Sequence, residues 1–263
     1  MKKLRLIISY INYFFKAKTR YTIHSPFVYE LVTKVLRDNT HYDDFVELEE
    51  ITKKQSKRND LIETVDFGAN SGGYDYTTSM VEKGKIVKQR TSGIKQLKLL
   101  YKLSKFLKPD VILEFGTAAG ISAAYMSKGY PAAKLTTLEG CASLANFAES
   151  TFHKLHIQHI EVISGNFDIT IDDALKCIGK IDLVFFDGNH RKEPTLRYFD
   201  ACLRNSDENS VFVFDDIHWS SEMEEAWEAI KAHPDVSITI DLFWLGLVFF
   251  KKGVAKQDFI IRY

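Results

Sequence analysis

Residues 112–120 read Ile-Leu-Glu-Phe-Gly-Thr-Ala-Ala-Gly. An apolar run ends in a carboxylate, a glycine follows two residues on, and a second glycine four after that. A small-residue helical pattern, 121–129, comes next. A glycine motif carries meaning only where a strand passes into a helix, and this one lies at such a passage. Gly116 can bring the backbone close to a ligand, and Gly120 can let the helix pack tightly on the strand. The helix start also presents unpaired N–H groups, which suit a carboxylate. A second stretch, Val65 to Gly73 (VDFGANSGG), repeats the acid-and-glycine spacing. No amphipathic helix follows it, so it reads as a loop, with a lid over a site as its functional alternative.

Working outward from 112–120, helix and strand patterns alternate. Segments 110–115, 134–139, 160–164, 181–187 and 210–216 are short apolar runs, and 96–107, 121–129, 144–155, 171–178, 193–204 and 221–233 carry helical patterns. Continuous apolar strands are buried on both faces, which predicts a doubly wound α/β fold with a mostly parallel sheet. Ser221 and Glu224 are spaced for a capping box at the last helix. Residues 236–252 read as two strands around a tight connection, which requires one antiparallel strand. The expected organisation is an N-terminal helical extension and cap, 1–95, before a Rossmann-like domain, 96–263.

At the N-terminus, Ile7, Ile8, Ile11, Phe14 and Phe15 share one helical face. This predicts a docked amphipathic helix. A membrane-surface helix, with Lys16, Lys18 and Arg20 near headgroups, is the alternative. No stretch is long and apolar enough to span a bilayer, and a membrane partner is not expected. Lys+Arg and Asp+Glu both number 35, and no basic run appears, which gives no support for nucleic-acid binding. Cys141, Cys177 and Cys202 form no CxxC pair, which points to a reducing, cytoplasmic setting.

The strand ends hold the chemistry. In open α/β sheets ligands bind at the carboxyl ends of strands. The spacing Glu114-Gly116-Gly120 departs from the G-x-G-x-x-G of nicotinamide dinucleotide sites, which argues against an oxidoreductase. Glu139 can accept both hydroxyls of a ribose. Asn166 and Phe167 can pair with and pack on an adenine. Asp187 can meet a cationic amine or a metal. Asp187, Asp215 and Asp216 together make a hard oxygen cluster suited to Mg²⁺. His190 and His218 flank that cluster. Either can serve as a base near neutral pH, as a metal ligand, or as a plain loop residue. Trp219 can wall an acceptor pocket or anchor its loop.

In order, VILEFGTAAGIS, LTTLEG, ISGNFD, IDLVFFDGNH and VFVFDD resemble the successive motifs of class I S-adenosylmethionine-dependent methyltransferases, of the catechol and caffeoyl-CoA O-methyltransferase type. The resemblance covers about residues 100–251. HSPFVYELV and VDFGANS also resemble an uncharacterised bacterial branch of that family. The resemblance implies a seven-stranded sheet of order 3-2-1-4-5-7-6 with strand 7 antiparallel, and S-adenosylmethionine as cofactor. It implies that Gly116, Thr117, Ala118 and Ser122, with Glu114 and Gly120, hold the methionine part. It further implies that Glu139 and Gly140 hold the ribose, and that Asn166 and Phe167 flank the adenine. The expected reaction is methyl transfer to a small-molecule acceptor, at a hydroxyl oxygen, with Asp187, His190 and His218 as catalytic candidates. The cation-dependent members have Asn where this chain has Asp216, and a lysine base where it has His190. Those departures leave Mg²⁺ open and motivate a non-catalytic binding module as the alternative. A homodimer is a further expectation.

Overall fold

The computed structural model describes residues 2–19, 22–66 and 77–263. In chain order the N-terminal elements are α1 (Lys2–Lys16), α2 (Pro26–Leu31, continued by a π-helical turn Val32–Leu36), α3 (Asp44–Gln55), β1 (Leu61–Asp66), β2 (Thr77–Glu82), α4 (Lys83–Gln89) and α5 (Ile94–Leu107). Alternation then begins with β3 (Val111–Phe115), α6 (Ile121–Gly129), β4 (Lys134–Glu139), α7 (Ala142–Lys154), β5 (Ile160–Ser164), α8 (Phe167–Ile178), β6 (Leu183–Phe186), α9 (Lys192–Leu203), β7 (Val211–Asp215) and α10 (Ser221–Ala232). The last strands are β8 (Ile238–Asp241), β9 (Leu245–Phe249) and β10 (Gln257–Ile260).

The main sheet has the order β10-β8-β9-β7-β6-β3-β4-β5, and β9 is antiparallel to both of its neighbours. This is the expected α/β architecture. The count is eight rather than seven, because β10 adds an edge strand parallel to β8. Its sequence, Gln-Asp-Phe-Ile, buries only Phe259, so no apolar run announced it.

The chain forms two compact units, Asn39–Gly179 and Met1–Asp38 with Lys180–Tyr263. Residues 1–95 are divided between them, so the expected N-terminal extension contributes to both. In the first unit β3, β4 and β5 pair in parallel register, with Glu114 beside Thr137 and Glu139 beside Ser164. Helix α5 lies on α6 at Gly129, where an added Cβ would fall 2.3 Å from the Tyr101 carbonyl oxygen. β1 and β2 pair antiparallel, Asp66 opposite Thr77. The glycine stretch beyond Asp66 lies outside the described residues, so its role as loop or lid stays an expectation.

The core of the second unit is aromatic. Phe186 stacks on Phe214 at 4.3 Å, and buried Trp227 of α10 packs over Gly246, where a Cβ would meet the indole at 2.6 Å. The cap of α10 differs from expectation. Ser220, extended at φ −137°, accepts the Met223 N–H at 3.1 Å, and Glu224 turns away to other partners. Helix α1 docks, but through its polar side. Arg5 and Ser9 donate to Glu224 at 2.7 and 2.9 Å, and Tyr13 Oη donates to the Ile261 carbonyl at 2.5 Å. The expected apolar face, Ile7, Ile8, Ile11, Phe14 and Phe15, is exposed.

Candidate active site

The β3–α6 turn is built on left-handed backbone. Gly116 has φ 94°, Ala118 46° and Gly120 75°. At Gly120 a Cβ would fall 2.7 Å from Phe152, so glycine permits α6 to approach α7 rather than the strand expected from sequence. Gly116 and Thr117 donate to the Leu138 carbonyl, which ties the turn to the end of β4. There Glu139, 8% exposed, accepts the Ala118 N–H at 2.8 Å and the Cys141 N–H at 3.0 Å. Burial raises its pKa, while those amides, the Arg90 charge and the Gly140 amide oppose the rise. A carboxylate has about four acceptor positions, so the oxygens of Glu139 keep capacity for further donors.

Glu114 sits beneath this turn with no exposure. It accepts Ser122 Oγ at 2.5 Å and Thr137 Oγ1 at 2.6 Å, and Thr117 Oγ1 lies 2.6 Å from Thr137 Oγ1. Burial pushes its carboxyl up to about 7, and both hydroxyls resist the rise. Glu114, Ser122 and Thr117 thus join in one internal network that holds the turn. Asn166 caps α8, its Oδ1 accepting the Asp168 N–H at 3.0 Å, and Phe167 packs edge-on to Phe115 at 5.8 Å.

In the other unit, the ends of β6 and β7 and the loops after them bring four of the predicted residues together. His190 Nε2 lies 3.5 Å from Asp187 Oδ1. Asp215 is 7% exposed; burial and the charges of Asp187 and Asp216 drive its pKa well up, and a hydrogen bond with Asp187 adds to this. Burial also raises Asp216, and the His190 charge opposes it. Each carboxylate in such contact disfavours ionisation of the other. Among the described residues, no group of three or more His, Cys, Asp or Glu is arranged to hold a metal ion. The Asp187–Asp215–Asp216 ligand set stays an expectation from the sequence. Asp215 turns to Asp187, and Asp216 follows with a left-handed backbone at φ 56°.

His218 is set apart from these groups by its partners. Its Nε2 is 2.8 Å from Asp241 Oδ2, its Nδ1 is 3.3 Å from Glu224 Oε1, and its ring stacks on Phe243 at 5.1 Å. Burial works against the charged ring, but Asp241 and Glu224 outweigh it and hold the pKa above its ordinary value. Trp219 is 53% exposed. Sequence reasoning missed three features here. Asn189 and Phe243 have positive φ, 53° and 74°, and the buried Oδ1 of Asn189 has no hydrogen-bond partner among the described residues. Arg90 acts on Glu139 through space. Backbone strain gathers at ligand sites, yet Asn and Phe in a loop give no sign of φ.

Residues 113–217 match the family model described as "Methyltransferase domain". No curated protein matches the chain. Among solved structures, the fold is similar to that of the O-methyltransferase from Bacillus cereus in complex with SAH. The identity is 19% and the TM-score 0.57, over 84% of this chain and 96% of the other. The SAH-bound Podospora anserina methyltransferase PaMTH1 is similar at 17% identity and TM-score 0.59, over 88% and 98%. The O-methyltransferase TomG from Streptomyces achromogenes, in complex with SAM, is similar at 23% identity and TM-score 0.52, over 62% and 82%. Residues 113–217 are thus similar to a methyltransferase domain, on a fold shared with O-methyltransferases whose structures hold SAM or SAH.

Proposed function

We propose that this protein transfers a methyl group from S-adenosylmethionine to a hydroxyl oxygen of a small-molecule acceptor. The observation that carries the reading is the left-handed β3–α6 turn tied to Glu139. Gly116 presents backbone without a side chain, and Glu139 keeps acceptor capacity for a ribose diol. The Glu114–Ser122–Thr137 network fixes the turn from below. Asn166 and Phe167 open α8 and stand for the adenine contacts.

The bound cofactor supplies a methyl on a sulfonium, a carbon already activated for displacement. The protein's own tasks are alignment of the acceptor and removal of its proton. His190 is the base in this reading. Asp187, 3.5 Å away, orients its ring and stabilises the imidazolium that forms. Asp215 holds Asp187 in turn, and Asn189 Oδ1 offers an acceptor to a bound hydroxyl. His218, held by two carboxylates, serves the structure. No step is routed through a cation.

The test is transfer of labelled methyl groups from S-adenosylmethionine to a panel of phenols, catechols and aliphatic alcohols. On an accepted substrate, His190→Gln is expected to lower kcat by about 10²–10⁴-fold, with His218→Gln close to wild type. Equal rates for wild type and His190→Gln would contradict the assignment of the base. Transfer to nitrogen or sulfur acceptors alone would contradict the choice of oxygen.

A further inference from the structure

Helix α1 is inverted relative to an ordinary surface helix. Its inward side is the polar series Arg5, Ser9 and Tyr13, one residue in every four, bonded to Glu224 and to the Ile261 carbonyl. Its outward side is apolar: Leu4 is 64% exposed, Ile7 55%, Ile8 51%, Ile11 47% and Phe15 82%. A helix evolved for water alone would turn those faces the other way. Scattered exposed apolar residues need no explanation, but a contiguous apolar helix face marks a contact.

The charge says which contact. Residues 1–29 contain Lys2, Lys3, Arg5, Lys16, Lys18 and Arg20, and no Asp or Glu, in a chain whose charges balance overall. Arg5 is neutralised by Glu224. At the end of α1 the basic groups gather. Lys16 and Lys18 are exposed, the Arg262 guanidinium lies 4.0 Å over the Phe14 ring, and Arg37 donates to the Arg262 carbonyl at 2.8 Å. The apolar face therefore ends in a basic rim. We propose that α1 is an interfacial helix that seats the protein on an anionic phospholipid bilayer. Its apolar side chains enter the acyl boundary and its lysines and arginines meet the headgroups. At 15 residues α1 lies on the bilayer, and no helix among the described residues is long and apolar enough to cross one. A second copy of this chain would bring the same basic segment, with no acid in it to meet the rim. The proposal stands independently of the methyl-transfer reading.

The experiment is co-sedimentation of the full chain with vesicles of phosphatidylcholine, and of phosphatidylcholine mixed with phosphatidylglycerol. The protein should pellet with the mixed vesicles, weakly with the neutral ones, and less as salt rises. Ile7→Glu with Ile11→Glu should weaken partitioning by about tenfold or more with the melting temperature unchanged, since both positions are exposed. Lys16→Gln with Lys18→Gln should weaken it on the order of tenfold on mixed vesicles alone. Absence of wild-type binding to mixed vesicles overturns the proposal, as does binding indifferent to Ile7→Glu and Ile11→Glu. A dimer in sedimentation equilibrium that those substitutions dissolve, without vesicle binding, overturns it in favour of a second copy.

Discussion

Glu114 has no exposed surface, and its carboxyl is pushed from 4.5 up to about 7 by burial. The folded state therefore holds this proton more tightly than the unfolded chain. Its contribution to stability is full below about 4.5 and is lost as pH rises through about 7. Glu114→Gln removes the titration while keeping an acceptor for Ser122 or Thr137. The variant should gain on wild type between pH 5 and pH 8, by as much as about 3 kcal/mol in unfolding free energy. A stability difference that does not change with pH would contradict the assigned burial. Gly120 is decided by geometry: φ is 75°, and a Cβ would lie 2.7 Å from Phe152. Gly120→Ala should cost about 2–4 kcal/mol in urea unfolding, and a cost near zero would mean that α6 can shift away from α7. The requirement for glycine here was legible from the strand–turn–helix pattern. That the obstacle is Phe152 was not, because α7 meets the turn only in three dimensions.

At the scale of elements, α1 is held by the cluster of Arg5, Ser9, His218, Glu224, Asp241 and Phe243. The pKa of His218 is raised, so its stabilisation is complete below the unfolded value near 6.5 and is lost as pH rises through the folded value. Amide exchange in residues 2–16, corrected for intrinsic rates, should accelerate as the ring deprotonates. Asp241→Asn should move that midpoint to lower pH and loosen the docking by about 1–3 kcal/mol. Exchange indifferent to Asp241→Asn would mean that α1 is held elsewhere. None of this was legible in sequence. Periodicity finds an apolar face but not which side of the helix meets the body, and a histidine two residues past a strand-end acid pair looks the same as base or as strut. Ser221 and Ser220 were likewise indistinguishable as caps, since either serine has the needed hydroxyl.

For the molecule as a whole, the alternation from 96 to 252 was readable because buried parallel strands are near-continuous apolar runs. β10 was not, since an edge strand needs few apolar residues. The β1–β2 pair was hidden by the polar residues that interrupt both strands. Of the candidate site, the strand-end acids were legible and their ionisation was not. The rise in the Asp215 pKa depends on burial and on contact with Asp187, which spacing does not encode. The account as a whole rests on Glu139 and the turn it holds being a nucleoside cofactor site. The most direct measurement is calorimetric titration with S-adenosylhomocysteine of wild type and Glu139→Gln, with melting temperatures recorded for both. Wild type should bind, and the variant should bind about 10–100-fold more weakly, the loss expected for charged hydrogen bonds to a diol, at a similar melting temperature. Equal affinity in the two proteins, or no binding by wild type, would contradict the account.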